Sequence, residues 1–327
     1  MEILRMNIAT ALNSKYMRYT CVMLTSLFSN QEDADIHVYL LHSDLTDEDK
    51  AHLLDVGEKY HQTIHFLKID RELFPSALPT TSTWSLESYY RLMLLDLLPS
   101  EIDRILYLDV DMIINKSLKE VYCTDFENNY FCVCKDPSAV LPFPDIRNII
   151  FQEHIAQGFT YFNSGFLLWN VKELRGKYSF KDYMNIAEIL HYQLRAPDQD
   201  LLNFIHWGQV KFVDEYRYDL FSLNAYISGI RYEEVKRETT VIHYAGTKPW
   251  EGEAIHYDIE QLWWDYARLT PFYHEMMEEY LYNCTNIPFI YNSLEKLTNK
   301  NEKLTTDLNQ SLASCKKLLE LLQNGQK

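Results

Sequence analysis

An α/β fold is predicted by three observations. Over the first half of the chain, segments with the alternating apolar pattern of strands are interleaved with segments of helical period, as in a largely parallel sheet flanked by helices. A short, mainly apolar run at 104–108 passes directly into the acids Asp109 and Asp111, as a strand does when it ends at a ligand-binding edge. Of the 327 residues, 47% are hydrophobic, while Gly (9) and Pro (10) are scarce. That balance supplies ample core and excludes collagen-like, low-complexity and disordered chains.

Residues 7–12 read as the first strand. Residues 16–28 follow as a helix, with Tyr19, Val22, Met23 and Leu27 on its apolar face. A second strand spans 35–41. The next helix, 46–60, opens at Thr46, and Asp49 three residues on resembles the second member of a capping box. Leu53, Leu54 and Val56 give that helix its buried stripe. A strand at 63–69, a helix at 86–98 that carries Arg91, and a strand at 104–108 complete the first half. Beyond them come a strand at 130–134, an irregular Pro-containing stretch at 137–145 and an aromatic strand at 159–169. Helices are predicted at 179–193 and, after Pro197, at 198–206, because Pro ahead of an acid-led apolar run suits a first helical turn. A strand at 239–244 precedes a helical region at 258–282 crowded with Trp263, Trp264, Tyr266, Phe272, Tyr273 and Tyr280.

From about residue 285 the composition shifts to Leu, Lys, Asn, Gln and Ser. Leu297, Leu304, Leu308, Leu318 and Leu322 fall on a heptad-like seam interrupted by Asn301, Ser311 and Cys315. The pattern predicts a helix and leaves open coiled-coil pairing, self-association or partner binding through 291–323.

The chain has 31 Lys+Arg against 47 Asp+Glu, a net charge of −16. A large phosphate-tracking surface needs clustered cations, so nucleic acid is excluded as a partner. A small anion would require a local device such as a helix N-terminus, a few basic residues or a bound metal. The segment 285–327 has six Lys and four acids, so the acidity belongs to the rest of the chain. No run approaches the roughly 18 apolar residues of a membrane span, and the first residues lack the pattern of a secretory signal. The expectation is a cytoplasmic protein, with peripheral contact at the inner face of a membrane left open. Cys21, Cys123, Cys132, Cys134, Cys284 and Cys315 form no zinc or redox pattern and read as reduced structural thiols.

Asp109-Val110-Asp111 places two carboxylates on one side of an extended segment, where they can converge on one cation; alone, the pattern reads first as two exposed loop acids. Four further motifs each follow a predicted strand or open a helix: Asn7-Ile-Ala-Thr-Ala-Leu-Asn-Ser-Lys-Tyr16, Tyr161-Phe-Asn-Ser-Gly165, Pro197-Asp-Gln-Asp200 and His243-Tyr-Ala-Gly-Thr-Lys-Pro-Trp250. Their order, with the paired acids between the first two, resembles glycosyltransferase family eight over about residues 6–250.

The resemblance implies the GT-A nucleotide-diphospho-sugar transferase fold, with a Rossmann-like mixed sheet and a C-terminal helical extension. It implies a retaining, metal-dependent hexosyltransferase, similar to bacterial lipopolysaccharide galactosyl- and glucosyltransferases, that takes UDP-glucose or UDP-galactose. Its acceptor would be a hydroxyl of a glycan, glycolipid or glycoprotein in cell-envelope or surface-glycan synthesis. Residues 1–257 would be the catalytic domain, 258–284 an aromatic helical segment packed on it, and 285–327 an amphipathic helix. Asp109, Asp111 and His243 would be the metal ligands, with Mn²⁺ favoured over Mg²⁺. Two hard carboxylates and one imidazole suit that choice and leave positions for diphosphate oxygens.

By the same resemblance, Ala11, Asn13 and Tyr16 would bind the uridine, with Asn13 standing where family members usually have Asp, and Val110 would belong to the nucleotide site. Gly246 and Lys248 would meet the diphosphate, although one residue separates them where some members have two. Arg91 would lie near the donor sugar and phosphates, and Asp136, Asn163, Ser164 and Gly165 would line the sugar. Asp198 and Gln199 would lie closest to the anomeric carbon. Gln199 is then expected to position and stabilise rather than attack, favouring same-face substitution over double displacement. Two other readings use the same residues differently: a metal-dependent phosphoesterase, which would call for a second ligand cluster, and a non-catalytic scaffold acting through its C-terminal helix.

Overall fold

Among the residues that the computed structural model describes (3–81, 84–252, 257–285 and 287–324), ten strands form two sheets. They are β1 (Leu4–Ala11), β2 (Ala34–His42), β3 (Thr63–Lys68), β4 (Ile105–Leu108), β5 (Met112–Ile114), β6 (Phe131–Lys135), β7 (Phe162–Trp169), β8 (Val210–Phe212), β9 (Leu220–Phe221) and β10 (Val241–His243). The larger sheet has the order β3-β2-β1-β4-β7-β6-β8, and the smaller has β5-β10-β9. Strands β3 to β4 run parallel, as their helical crossovers require. Strand β7 then enters antiparallel between β4 and β6.

Both faces of the large sheet are covered, and side-chain alternation explains how. In β4, Ile105 and Tyr107 join one core cluster while Leu106 and Leu108 join the other. In β6, Phe131 and Val133 face one side and Cys132 and Cys134 the other. The cysteines are therefore packing groups. Burial pushes the Cys21 thiol up to about 12 and Cys132 to about 11, which keeps both unreactive.

Two helices illustrate how local sequence sets the termini. Helix α1 (Met17–Ser29) packs between the sheets, and α2 (Asp47–Lys59) begins at Thr46, where the capping box is complete: Asp49 N–H donates to Thr46 Oγ1 at 3.1 Å and Thr46 N–H to Asp49 Oδ2 at 2.9 Å. Asp49 also accepts from Ser14 Oγ at 2.7 Å, so the cap tethers the loop after β1. Helix α3 (Phe180–Ile189) is likewise boxed by Ser179 and Asp182. It ends before the predicted 193 because His191 and Tyr192 adopt positive φ. Helix α4 (Pro197–His206) has Pro197 in its first turn.

Other expectations change. The predicted helix 86–98 is a 3₁₀ segment, Leu86–Met93, followed by one α-turn, Leu94–Leu97. Three-residue winding brings the Ser88 carbonyl under Arg91, whose Nε donates to it at 2.9 Å. The helical region 258–282 is interrupted at Pro271, which can neither donate nor continue the turn, leaving α5 (Gln261–Ala267) and α6 (Tyr273–Thr285). Strands β5, β8 and β9 have only two or three residues each, too few for a periodic signal.

The chain divides into two compact units, Met1–Pro249 with His256–Tyr273, and Trp250–Ile255 with His274–Lys327. The first holds both sheets. The second is built mainly from α6 and the 38-residue α7 (Ile287–Asn324), on which Leu294, Leu297, Leu304, Leu308 and Leu312 are exposed. The side chains of Cys315, Leu318 and Leu322, placed on the same seam by the sequence, lie outside the described residues. Among the described residues no helix is long and apolar enough to cross a membrane.

Candidate active site

The predicted site residues of the first unit gather at the carboxyl edge of the parallel strands, where open α/β sheets bind ligands. Strand β1 ends in Ala11 and leads to Asn13 and Tyr16; β4 ends in Leu108 and leads to Asp109; β10 ends in His243. Antiparallel β7 begins at this same edge and contributes Asn163, Ser164 and Gly165. Strand β6 shifts register between Val133 and Lys135, and the irregularity turns Asp136 toward β7, where its N–H meets the Tyr161 carbonyl at 3.1 Å.

Asp109, Asp111 and His243 each offer a ligand atom within 4.8 Å of the others. The turn between β4 and β5 carries the two acids, and pairing of β5 with β10 brings the histidine to them. His243 Nε2 lies 3.4 Å from Asp111 Oδ1, while Lys248 Nζ bonds Asp111 Oδ2 and the Tyr244 carbonyl. Burial opposes ionisation of Asp111, but Lys248 and His243 more than offset it and hold the carboxyl well below its ordinary value. Burial alone would lower the His243 value; Asp111 and Asp219 instead lift it to about 10. The pocket is thus built for positive charge: its donors are hard carboxylates and an imidazole, and it already draws in an ammonium. These residues fit a divalent cation.

Gly165 keeps that space open. A Cβ there would lie 2.7 Å from Asp109 Oδ2, 2.7 Å from His243 Cε1 and 2.8 Å from Asn163 Oδ1. Gly246 adopts φ +91°, a left-handed conformation that favours glycine, in the loop leading to Lys248. Val110, between the acids, packs partly buried against the core.

Beside the acids runs a continuous buried network. Gln199 Oε1 accepts from Ser164 N–H at 2.9 Å and Asn163 Nδ2 at 3.1 Å, and its Nε2 donates to Asp136 Oδ2 at 2.9 Å. Ser164 Oγ donates to Asp198 Oδ2 at 2.9 Å. Arg91, 3% exposed, pairs with Asp109 (Nη2 to Oδ1, 2.9 Å) and Asp198 (Nε to Oδ2, 3.1 Å), donates to the Ser164 carbonyl, and stacks 4.3 Å from the Tyr107 ring centroid. Its fork is spent on the protein, so Arg91 holds the two acids in place. Arg91→Met is expected to cost about 3–5 kcal/mol, because Asp198 would be left buried without its counter-charge. Urea denaturation checks this, and a loss under about 1 kcal/mol would show that the pairing is dispensable.

Asn13 Oδ1 is buried and has no hydrogen-bond partner among the described residues. Tyr16, partly buried, meets Tyr19 edge-on with ring centroids 5.7 Å apart. A buried acceptor without a partner, two residues past the end of β1, is a polar group still open to a donor.

The profile for Glycosyl transferase family 8 matches residues 7–254, from β1 through the loop that carries Lys248. The chain belongs to glycosyl transferase family 8. A putative glycosyltransferase of Haemophilus influenzae is 27% identical over 286 residues, covering 82% of this chain and 84% of the relative. The lipopolysaccharide 1,3-galactosyltransferase of Salmonella typhimurium is 28% identical, covering 75% of this chain and 73% of the relative. The lipopolysaccharide 1,2-glucosyltransferase of Escherichia coli is 26% identical with the same coverage. An active-site mutant of the glycosyltransferase LgtC superposes with a TM-score of 0.71 at 24% identity, covering 81% of this chain and 96% of that one. The shared architecture is the GT-A fold. LgtC has also been solved with donor and acceptor sugar analogs.

Within the family 8 region the structure gives roles to residues that the sequence left without one. Tyr107 lies beneath Arg91. Asp200 accepts from Tyr161 Oη at 2.5 Å and from the Arg195 and Ala196 N–H groups, fixing the start of α4 and hence Gln199. Asp219 bonds His243 across the pairing of β9 with β10.

Proposed function

We propose that this family 8 enzyme transfers glucose or galactose from a UDP-sugar to a hydroxyl of a glycan, glycolipid or glycoprotein, with retention at the anomeric carbon, in cell-envelope or surface-glycan synthesis. The observation that carries this reading is the convergence of Asp109, Asp111 and His243 beside the Asn163–Gln199–Asp136 network at the carboxyl edge of the sheet. The hexose relatives named above support the choice of donor.

Asn13 offers its carbonyl to the imide N–H of uracil, and Tyr16 and Ala11 flank the base. Asp109, Asp111 and His243 hold Mn²⁺, or Mg²⁺ in its place. The chemistry such an ion supplies when bound is Lewis-acid neutralisation of the departing diphosphate. Gly246 admits the phosphates close to the backbone, and Lys248 leaves Asp111 to meet them. Asp136, Asn163 and Ser164 orient the donor sugar. Both acceptor directions of Gln199 Oε1 are engaged by protein donors, which supports a fixed dipole near the anomeric carbon in preference to a nucleophile. Asp198, held by Arg91, fixes the Ser164 hydroxyl. The bond between the anomeric carbon and the β-phosphate oxygen breaks, the acceptor oxygen bonds that carbon on the same face, and the acceptor's proton passes to the departing UDP.

In this reading residues 1–257 are the transferase part, and the enzyme works in the cytoplasm, in peripheral contact with the inner face of the membrane where the acceptor is lipid-borne. Segment 291–323 serves self-association or partner binding. The test is UDP release from UDP-glucose, UDP-galactose and UDP-N-acetylglucosamine with Mn²⁺, followed by mass spectrometry of products on candidate acceptors. One hexose donor is expected to exceed the acetamido sugar by about tenfold or more. Release of inorganic phosphate with no hexose transfer would favour a phosphoesterase instead.

A further inference from the structure

We propose that Asp219 is a positioning residue of the metal site, holding the His243 ring so that Nε2 faces Asp109 and Asp111. The inference rests on reading those acids and His243 as metal ligands. Asp219 immediately precedes β9, and the parallel register, with His243 opposite Phe221, brings its carboxylate to the far side of the imidazole. Asp219 Oδ1 lies 2.8 Å from His243 Nδ1, and Nε2 lies on the Asp111 side. The Phe221 ring packs against the imidazole, with centroids 4.9 Å apart and planes at 74°, and restricts its rotation.

Asp219 is 1% exposed, and its Oδ2 has no hydrogen-bond partner among the described residues. A buried carboxylate with one oxygen unsatisfied costs free energy that an apolar side chain of the same size would not. What it supplies in return is an acceptor on the one ring nitrogen turned away from the acid pair. A ligating imidazole must present a lone pair to the cation, and a hydrogen bond at the opposite nitrogen selects that tautomer, fixes the ring plane and raises ligand basicity.

The test is titration of the full chain with Mn²⁺, following the electron paramagnetic resonance signal of free aqueous Mn²⁺, for the parent protein and for Asp219→Asn, Asp219→Leu and Asp219→Ala. Circular dichroism melts run alongside. Asp219→Leu keeps the branched shape in a bulkier apolar form and removes the acceptor; Mn²⁺ affinity is expected to fall about 10–100-fold. Asp219→Ala gives the same readout where the leucine variant does not fold. Asp219→Asn keeps an acceptor for Nδ1–H and is expected to restore affinity to within about threefold of the parent. Parent-like affinity in a folded leucine or alanine variant overturns the proposal, and so does an asparagine variant as weak as the leucine one. A parent protein that binds no Mn²⁺ overturns instead the metal reading beneath it.

Discussion

Asp109→Asn is expected to lower the rate of UDP release from the preferred hexose donor by about 10³-fold or more, equal to about 4 kcal/mol of transition-state stabilisation. The substitution is isosteric. Its amide oxygen still accepts from Arg91 Nη2, and Asp198 remains to balance the buried guanidinium, so the fold persists. What disappears is one of the two negative charges that, with His243, define the cation pocket. An amide is a far weaker ligand for a hard divalent ion than a carboxylate. The check is initial-rate UDP release beside a thermal melt. Retention of more than about a tenth of the activity in a folded variant would remove Asp109 from the role given to it.

Gly165→Ala is expected to have the next largest effect, although it adds a single methyl group. The new carbon would sit 2.7 Å from both Asp109 Oδ2 and His243 Cε1, and 2.8 Å from Asn163 Oδ1. All three neighbours are held: Asp109 by Arg91, His243 by Asp219, and Asn163 by Gly165 N–H and Gln199. Relief of the overlap must displace the proposed ligand set or the network around Gln199, and misplacement by about 1 Å costs about 10²-fold in rate. Gly208→Ala is the control, because no atom lies within 4 Å of its added carbon. Equal activity in the two variants would show that the crowding around Gly165 is relieved without displacing the site.

Local chemistry made much of the fold legible. The Thr46–Asp49 box, Pro197 in the first turn of α4 and the alternation in β4 and β6 are each encoded within a few residues. The proposed metal set was legible only through the order of motifs, since Asp109 and Asp111 alone read first as loop acids. Asp219 was hidden for a different reason. It stands 24 residues before His243, and the strand that aligns them, β9, has two residues. Arg91 was visible as a polar residue on an apolar helix, but its partners Asp109, Asp198 and the Ser164 carbonyl come from three separate elements, so its structural role appeared only in the fold.

The net charge of −16 works against donor binding, because the proposed donor is an anion and Asp109, Asp111, Asp136 and Asp198 crowd its site. Diphosphate binding there should depend on a cation held by Asp109, Asp111 and His243, with Lys248 too few in number to substitute. Calorimetric titration of UDP into the protein, with Mn²⁺ and then with excess chelator, measures that dependence directly. Chelation is expected to cost at least roughly 100-fold in UDP affinity, about 2.7 kcal/mol. UDP affinity that stays within about twofold after chelation would contradict that dependence.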